Sequence, residues 1–314
     1  MTLPHPRRST LAASALVLFL LAACGARPVA PASEDFCVVA EFYPIYVTLL
    51  NVTEGVSGVQ VSNLVPTATG CPEDYQLTPG DMKTLTGANI FVVNGAGLEG
   101  YLGKLARSCP QLKVVDASAG IELLKLDGEV NPHLWVSPLT AARQTRNIAA
   151  ALAAADPTHA SLYQKNGEAY ASRQEALAAH LRDVLSIAPV RRFVAFHDSL
   201  PYLARDLNLE MLAILEPAPG QNPSASELAD VATRVRAASG PVALLTEIDA
   251  KNPAAEVLSR ELGQPLYPLD TVTAGPLEPT LAREAYFHAM KKNLSVLSVA
   301  LGLNKNSPLT TSSQ

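Results

Sequence analysis

Short apolar runs rich in β-branched residues alternate with amphipathic stretches along this chain, and the alternation runs through it twice. In the first half the runs lie at 36–42 (FCVVAEF), 59–65 (VQVSNLV), 90–94 and 112–115 (LKVV), each with the length and composition of a buried strand. Helical segments separate most of them, the order that builds a parallel βα sheet. From 139 to 155 and again from 157 to 187 the chain turns Ala-rich, is studded with Arg, Glu and Gln, and nearly loses its β-branched residues. The second segment predicts one long helix. At about 1.5 Å per residue its roughly 30 residues reach about 45 Å, more than one lobe needs, so it is expected to act as a rigid strut. After Pro189 the strand pattern returns at 192–196 (RFVAF), 209–215 (LEMLAIL), 242–246 (VALLT) and 266–269 (LYPL), with helices from Ser224, Pro253 and Thr280. The expected architecture is α/β: βα lobes at 36–156 and 189–303 with central parallel sheets, bridged by one long rigid helix at 157–188, followed by a polar, disordered tail at 304–314.

The strand ends carry the candidate chemistry, because open α/β sheets collect ligands at the carboxyl edges of their strands. The stretch TGCPEDYQLTP (69–79) follows the second run. Thr78-Pro79 with Asp81 predicts a helix start, Thr as N-cap, Pro at the first helical position and an acid in the first turn. That leaves 69–77 as a loop holding Glu73. In the second half His197 follows RFVAF, Glu247 follows VALLT and Asp270 follows LYPL. Singly, each also fits capping or solvation; as a set they present His, Glu and Asp toward one rim. His133 stands in NPHLWVSP, its backbone restricted by Pro132 and anchored by Leu134-Trp135, and alone it fits a structural role as well as a ligand's. His159, His180 and His288 fall in helical stretches among charged and alanine neighbours and read as solvated. Imidazoles and carboxylates converging from separate loops are what a small divalent cation requires, since fixed nitrogen and oxygen donors must replace its water. On that reading the first lobe supplies Glu73 and His133, the second His197 and Asp270, and the ion sits in the cleft between them.

Composition narrows the partner. The 314 residues carry a formal net charge of −5, which speaks against nucleic acid and for a cationic ligand. Arg7 and Arg8 precede an apolar run, Leu11 to Ala23, that is shorter than the ~20 residues of a membrane span and suits the h-region of a signal peptide at 1–23. The run ends in Leu21-Ala22-Ala23-Cys24, which resembles a lipoprotein cleavage box, so Cys24 is expected to carry lipid and 24–35 to tether the body to the membrane. Cys37, Cys71 and Cys109 form an odd set in an oxidising compartment, so at most one disulfide forms among them, and sequence does not choose the pair. Cys71 as a thiolate ligand is the alternative to Cys71 in a disulfide.

Several motifs in a fixed order resemble one family: FYPIY (42–46), DYQLTPGDMKTL (74–85), NGAGLEGYL (94–102), NPHLWVSP (131–138), FVAFHDSLPYLA (193–204), TEIDAKNPAAEVLSREL (246–262) and LYPLD (266–270). The resemblance is to the metal-binding receptor lipoproteins of bacterial ABC importers, which include zinc and manganese uptake receptors and lipoprotein adhesins. It implies four metal ligands between two lobes, delivery of the ion to a membrane permease, and a monomer. Three of the family's ligands match as His133, His197 and Asp270. The fourth departs: where the family usually reads Pro-His-Asp-Tyr, this chain reads Pro72-Glu73-Asp74-Tyr75, so Glu73 either replaces a histidine ligand or marks its loss. Glu247 is expected to orient a ligating imidazole, or to ligate if Glu73 does not. The stretch 116–130 lacks the histidine-rich loop of many zinc receptors. Zn2+ is the expected ion, with Mn2+ or Fe2+ the alternative. Four filled positions leave none open for water, so no enzyme is expected. A metallohydrolase with Glu247 as base, and an adhesin-like scaffold with a weakened site, are the competing readings.

Overall fold

The computed structural model describes residues 1–2, 35–69, 72–73, 75–216, 223–248 and 252–303; the leader from residue 3 on, Cys24 and the polar tail lie outside them. The first half runs β1 (Phe36–Ala40), α1 (Tyr43–Val52), β2 (Val59–Asn63), α2 (Pro79–Thr86), β3 (Ile90–Val93), α3 (Leu102–Ser108) and β4 (Lys113–Asp116). Its sheet is parallel throughout, in the order β2-β1-β3-β4. Helix α1 is buried at every position, and its two polar residues other than tyrosine, Thr48 and Asn51, donate to the Pro44 and Val47 carbonyls one turn back. Helix α2 begins as its sequence predicts: the Thr78 side chain accepts from the Asp81 N–H while the Asp81 carboxylate accepts from the Thr78 N–H, a capping box that satisfies two of the orphan donors.

A hairpin the sequence reading did not assign follows, β5 (Lys125–Leu126) paired antiparallel with β6 (Glu129–Val130). Its turn is Asp127-Gly128, with φ of 49° and 93°. Two consecutive residues at positive φ match the twist of the paired strands, which is why Asp-Gly favours this turn. A 3-10 turn, Leu134–Val136, leads into α4 (Pro138–Ala155), capped by the Ser137 hydroxyl accepting from the Leu139 N–H.

The expected long helix is α5 (Ala160–Leu185), 26 residues, so about 39 Å. Residues 157–159 form a separate 3-10 turn in place of its first turn. It does not stand alone as a strut. It packs along α4, where Gln174 Oε1 accepts from the Thr145 hydroxyl at 2.8 Å and Arg146 pairs with both Glu168 and Glu175.

The second half runs β7 (Arg192–His197), α6 (Pro201–Asp206), β8 (Glu210–Glu216), α7 (Ala225–Ala237), β9 (Val242–Glu247), α8 (Pro253–Leu262), β10 (Leu266–Leu269), α9 (Pro279–Ala282) and α10 (Ala285–Ala300). Its sheet is again parallel, in the order β10-β9-β7-β8. The main apolar cluster joins α1, α4, α5 and α10 to one face of each sheet, with smaller clusters on the opposite faces. Buried polar contacts tie the halves together: the Trp135 indole N–H donates to the Thr271 carbonyl at 2.8 Å, the Tyr286 hydroxyl to the Trp135 carbonyl at 2.9 Å, and the Tyr46 hydroxyl to the Leu277 carbonyl at 2.7 Å. Among the described residues, no helix is long and apolar enough to cross a membrane.

Candidate metal centre

Each sheet reverses its strand order once, and the reversal point decides what its carboxyl edge presents. In the first sheet the chain leaves β1 in one direction and returns on the other side as β3, so the crevice lies between them. Glu41 follows β1 and Asn94 follows β3. The Asn94 N–H donates to Glu41 Oε2 at 2.9 Å, and the Asn94 side chain accepts from Gln144 of α4 and donates to the Pro132 carbonyl at 2.9 Å. These bonds fix the segment that carries His133. In the second sheet the reversal lies between β7 and β9, which end in His197 and Glu247. The two side chains meet there, with His197 Nδ1 2.9 Å from Glu247 Oε1.

Four residues bring donor atoms within 4.8 Å of one another: Glu73, His133, His197 and Asp198. Glu73 arrives from the loop before α2, which is pinned by the Tyr75 N–H donating to the Pro72 carbonyl and by the Tyr75 hydroxyl donating to Asp81. His133 is fully buried, its N–H donating to Asn131 Oδ1 at 3.1 Å. Its Nε2 lies 3.0 Å from Glu73 Oε1, and its Nδ1 lies 3.5 Å from Asp198 Oδ1. The two imidazoles meet edge to face, their centroids 5.0 Å apart, and Trp135 packs against His133 at 5.1 Å. Asp198 Oδ1 is 3.4 Å from His197 Nε2, while its Oδ2 accepts from Asn131 Nδ2 at 2.8 Å.

The electrostatics follow from this crowding. Burial alone would lower the His197 pKa, but the hydrogen bond and charge of Glu247, joined by Asp198 and Glu73, raise it to about 9. Burial acts in the other direction on Glu247, and the His197 hydrogen bond and charge overcome it, leaving the carboxyl below its usual range. Burial pushes the Asp198 carboxyl up, against the pull of both imidazoles. Without an ion, the site is two imidazoles held among three carboxylates, a preformed arrangement of hard oxygen and borderline nitrogen donors.

The structure thus brings Glu73, His133 and His197 together and places Glu247 against His197. Asp270 is not in the group of four. It follows β10 directly, its Oδ1 accepts from the Val272 N–H at 2.9 Å, and it lines a separate recess of about 510 Å³ with Thr280, Glu284 and His288. Asp198 is the residue sequence reasoning missed, although it stands directly after His197 at the same strand end. A second recess, about 450 Å³, is lined by Asn131 and Asp198 with residues of the hairpin and of β8. Cys37 and Cys109 are free thiols and Cys71 lies outside the described residues.

Over 308 residues, covering 91% of this chain and 95% of the relative, the sequence is 28% identical to the high-affinity zinc uptake system protein ZnuA of Bacillus subtilis. The solute-binding protein FpvC of Pseudomonas aeruginosa, solved in complex with Mn2+, superimposes with a TM-score of 0.76 at 29% identity, covering 85% of this chain and 98% of that one. The Zn(II)-bound ZnuA-like domain of Streptococcus pneumoniae AdcA superimposes with a TM-score of 0.72 at 28% identity, covering 85% and 99%. The model of the periplasmic component A of zinc-uptake complexes matches residues 38–300, and the chain belongs to that family.

Proposed function

We propose that this protein is an extracytoplasmic receptor that captures a divalent metal ion, Zn2+ foremost, and hands it to an ABC permease. The observation that carries the reading is the convergence of Glu73, His133 and His197, from both halves of the fold, on one half-buried point with Asp198 beside them. Nitrogen and oxygen donors of this kind suit Zn2+, and intrinsic affinity orders Zn2+ above Mn2+ and Fe2+ for such a set. The zinc-uptake family and the zinc-bound relative support the same ion. The Mn2+ complex of FpvC favours Mn2+ as the second reading. Asp270, placed at the end of β10, is proposed as a further carboxylate for the bound ion.

Glu247 serves by holding His197 through Nδ1, which leaves Nε2 to face the ion. A signal peptide at 1–23 and lipid on Cys24 would keep the body at the outer face of the membrane, within reach of the permease. Elemental analysis of protein purified without chelator, followed by competition between zinc and manganese, tests the reading. Sub-micromolar zinc binding that is lost in His197→Ala is the expected outcome. A wild-type protein that takes up neither ion would overturn it.

A further inference from the structure

Each of the two imidazoles at the centre faces a carboxylate on Nδ1, His197 within hydrogen-bond distance and His133 at longer range. His197 has a carboxylate, Glu247, on Nδ1 at 2.9 Å, which fixes its ring and leaves Nε2 toward the other donors. His133 has Glu73 beside Nε2 at 3.0 Å, and its Nδ1 faces Asp198 Oδ1 at 3.5 Å, an oxygen that also lies 3.4 Å from His197 Nε2. The nitrogens of an imidazole point to opposite sides of the ring, so a group on Nδ1 cannot share an ion held on Nε2. A carboxylate so placed fixes the tautomer and raises the basicity of the ligating nitrogen.

Asp198 is itself held. Asn131 donates from Nδ2 to both the carboxylate and the carbonyl of Asp198, each at 2.8 Å, and accepts on Oδ1 from the His133 N–H at 3.1 Å. The Tyr202 hydroxyl donates to the Asn131 carbonyl at 2.8 Å and accepts from the Leu124 N–H at 3.0 Å. One amide side chain therefore sets the distance between the His133 backbone, carried by the first half, and Asp198, carried by the end of β7. Most of this frame is buried: Asn131 is 1% exposed, Tyr202 0% and His133 0%.

We infer that Asp198 is the positioning residue for His133, reaching across from the second sheet to hold its Nδ1–H while Nε2 binds the ion. The inference rests on the metal-receptor reading and deepens it. The dipeptide His197-Asp198 then has two tasks, a ligand from the first residue and the orientation of the opposite half's ligand from the second. The seating of His133 becomes dependent on the two halves being in register.

The test uses the full mature chain and three readouts on wild type, Asp198→Ala and Asp198→Asn. Zinc affinity, by competition with a chromogenic chelator, should fall by about 10-fold to 100-fold in Asp198→Ala, the range seen when such an orienting partner is removed. Asp198→Asn keeps an oxygen acceptor and should recover part of that loss. Long-range nitrogen–proton spectra of the zinc-loaded protein should show His133 bound through Nε2 alone in wild type, and a mixture of Nε2 and Nδ1 ligation in Asp198→Ala. The visible bands of the cobalt-substituted protein should keep their four-coordinate character in all three. Unchanged affinity with an unchanged His133 tautomer would overturn the inference. So would a loss of one ligand in the cobalt spectrum of Asp198→Ala, which would make Asp198 a direct ligand. If instead wild type and His133→Ala bind no ion alike, the receptor reading itself has failed.

Discussion

At the scale of single residues, the centre sets its own pH dependence. His197 enters binding as an imidazolium, because its pKa of about 9 lies above neutrality, so an ion taking Nε2 must displace one proton. Apparent zinc affinity is expected to rise by about one log unit per pH unit from 6.5 toward 9 and then level. Titration against chelator-buffered zinc across that range checks it, and a flat profile would show that His197 carries no proton to lose. Glu247→Gln should weaken the dependence, since the carboxylate contributes most to the upward pull on His197. Residue choice at this site was partly legible in the sequence. Glu73, His133 and His197 could be picked because each stands at a loop or strand end beside apolar anchors. Asp198 could not be separated from an ordinary turn acid after a strand, because its role depends on Asn131, which is distant in the chain and carries no ligand signal of its own. Asp270 shows the reverse: its position at a strand end is plain in LYPLD, yet one of its oxygens is engaged by the Val272 amide.

At the scale of elements, the eight strands of the two parallel sheets were readable from short apolar runs, and three helix starts from Thr78-Pro79 with Asp81, Ser224 and Pro253, whereas the terminal helix expected from Thr280 is a short α9 followed by α10 from Ala285. The hairpin at 125–130 escaped because its strands are two residues each, too short for any periodicity, although Asp127-Gly128 names its turn. The long helix was readable in its length, and its companion was not. Composition gives α5 a helix but does not say that α4 lies alongside, since that depends on a small residue meeting a small residue. Gly167 is that residue: a methyl group there would come 2.3 Å from the Ala149 Cβ. Gly167→Ala gains helix propensity of up to about 1 kcal/mol. Forcing the two helices apart costs about 1–3 kcal/mol, so the net expectation is a lower urea midpoint, by about 1 kcal/mol in stability. Combining it with Ala149→Gly should recover most of that loss, and simple additivity of the two changes would show that the contact does not matter.

At the scale of the whole molecule, the first sheet places a buried glutamate, Glu41, where the second places His197. Glu41 is fully buried where the first sheet reverses its order, the counterpart of His197 in the second. Its Oε1 accepts from the Tyr101 hydroxyl at 2.9 Å and its Oε2 from the Asn94 N–H. Burial first, then the charge and hydrogen bond of Glu99, hold its carboxyl well above the usual range. Glu99 is raised as well, by burial and by Asp116, and is pulled back by its bonds to Glu41 and to the Gly95 N–H. Glu41 therefore keeps the proton that the pair shares. The unfolded chain ionises both glutamates near their ordinary pKa, so between that value and the folded pKa of Glu41 the native state binds more protons than the unfolded one. Stability contributed by the pair is present below the ordinary glutamate pKa and is lost as pH rises toward the folded one, by up to about 1.4 kcal/mol per pH unit and per proton. His197 adds a loss of the same sign, but only above about 6.5, where an unfolded histidine begins to lose its charge. The interval from pH 5 to 6.5 therefore excludes His197, and the raised Asp198 carboxyl, common to both proteins, cancels in the comparison with Glu41→Gln. In Glu41→Gln the amide can still donate to Glu99, and the raised proton of position 41 is gone while Glu99 can still ionise. Urea unfolding of the metal-free protein in chelator should show wild-type stability falling more steeply across that interval than the variant's. Two parallel curves would mean that Glu41 is already ionised in the folded protein, and the Glu41–Asn94 bond that frames His133 would then have to hold against a buried charge.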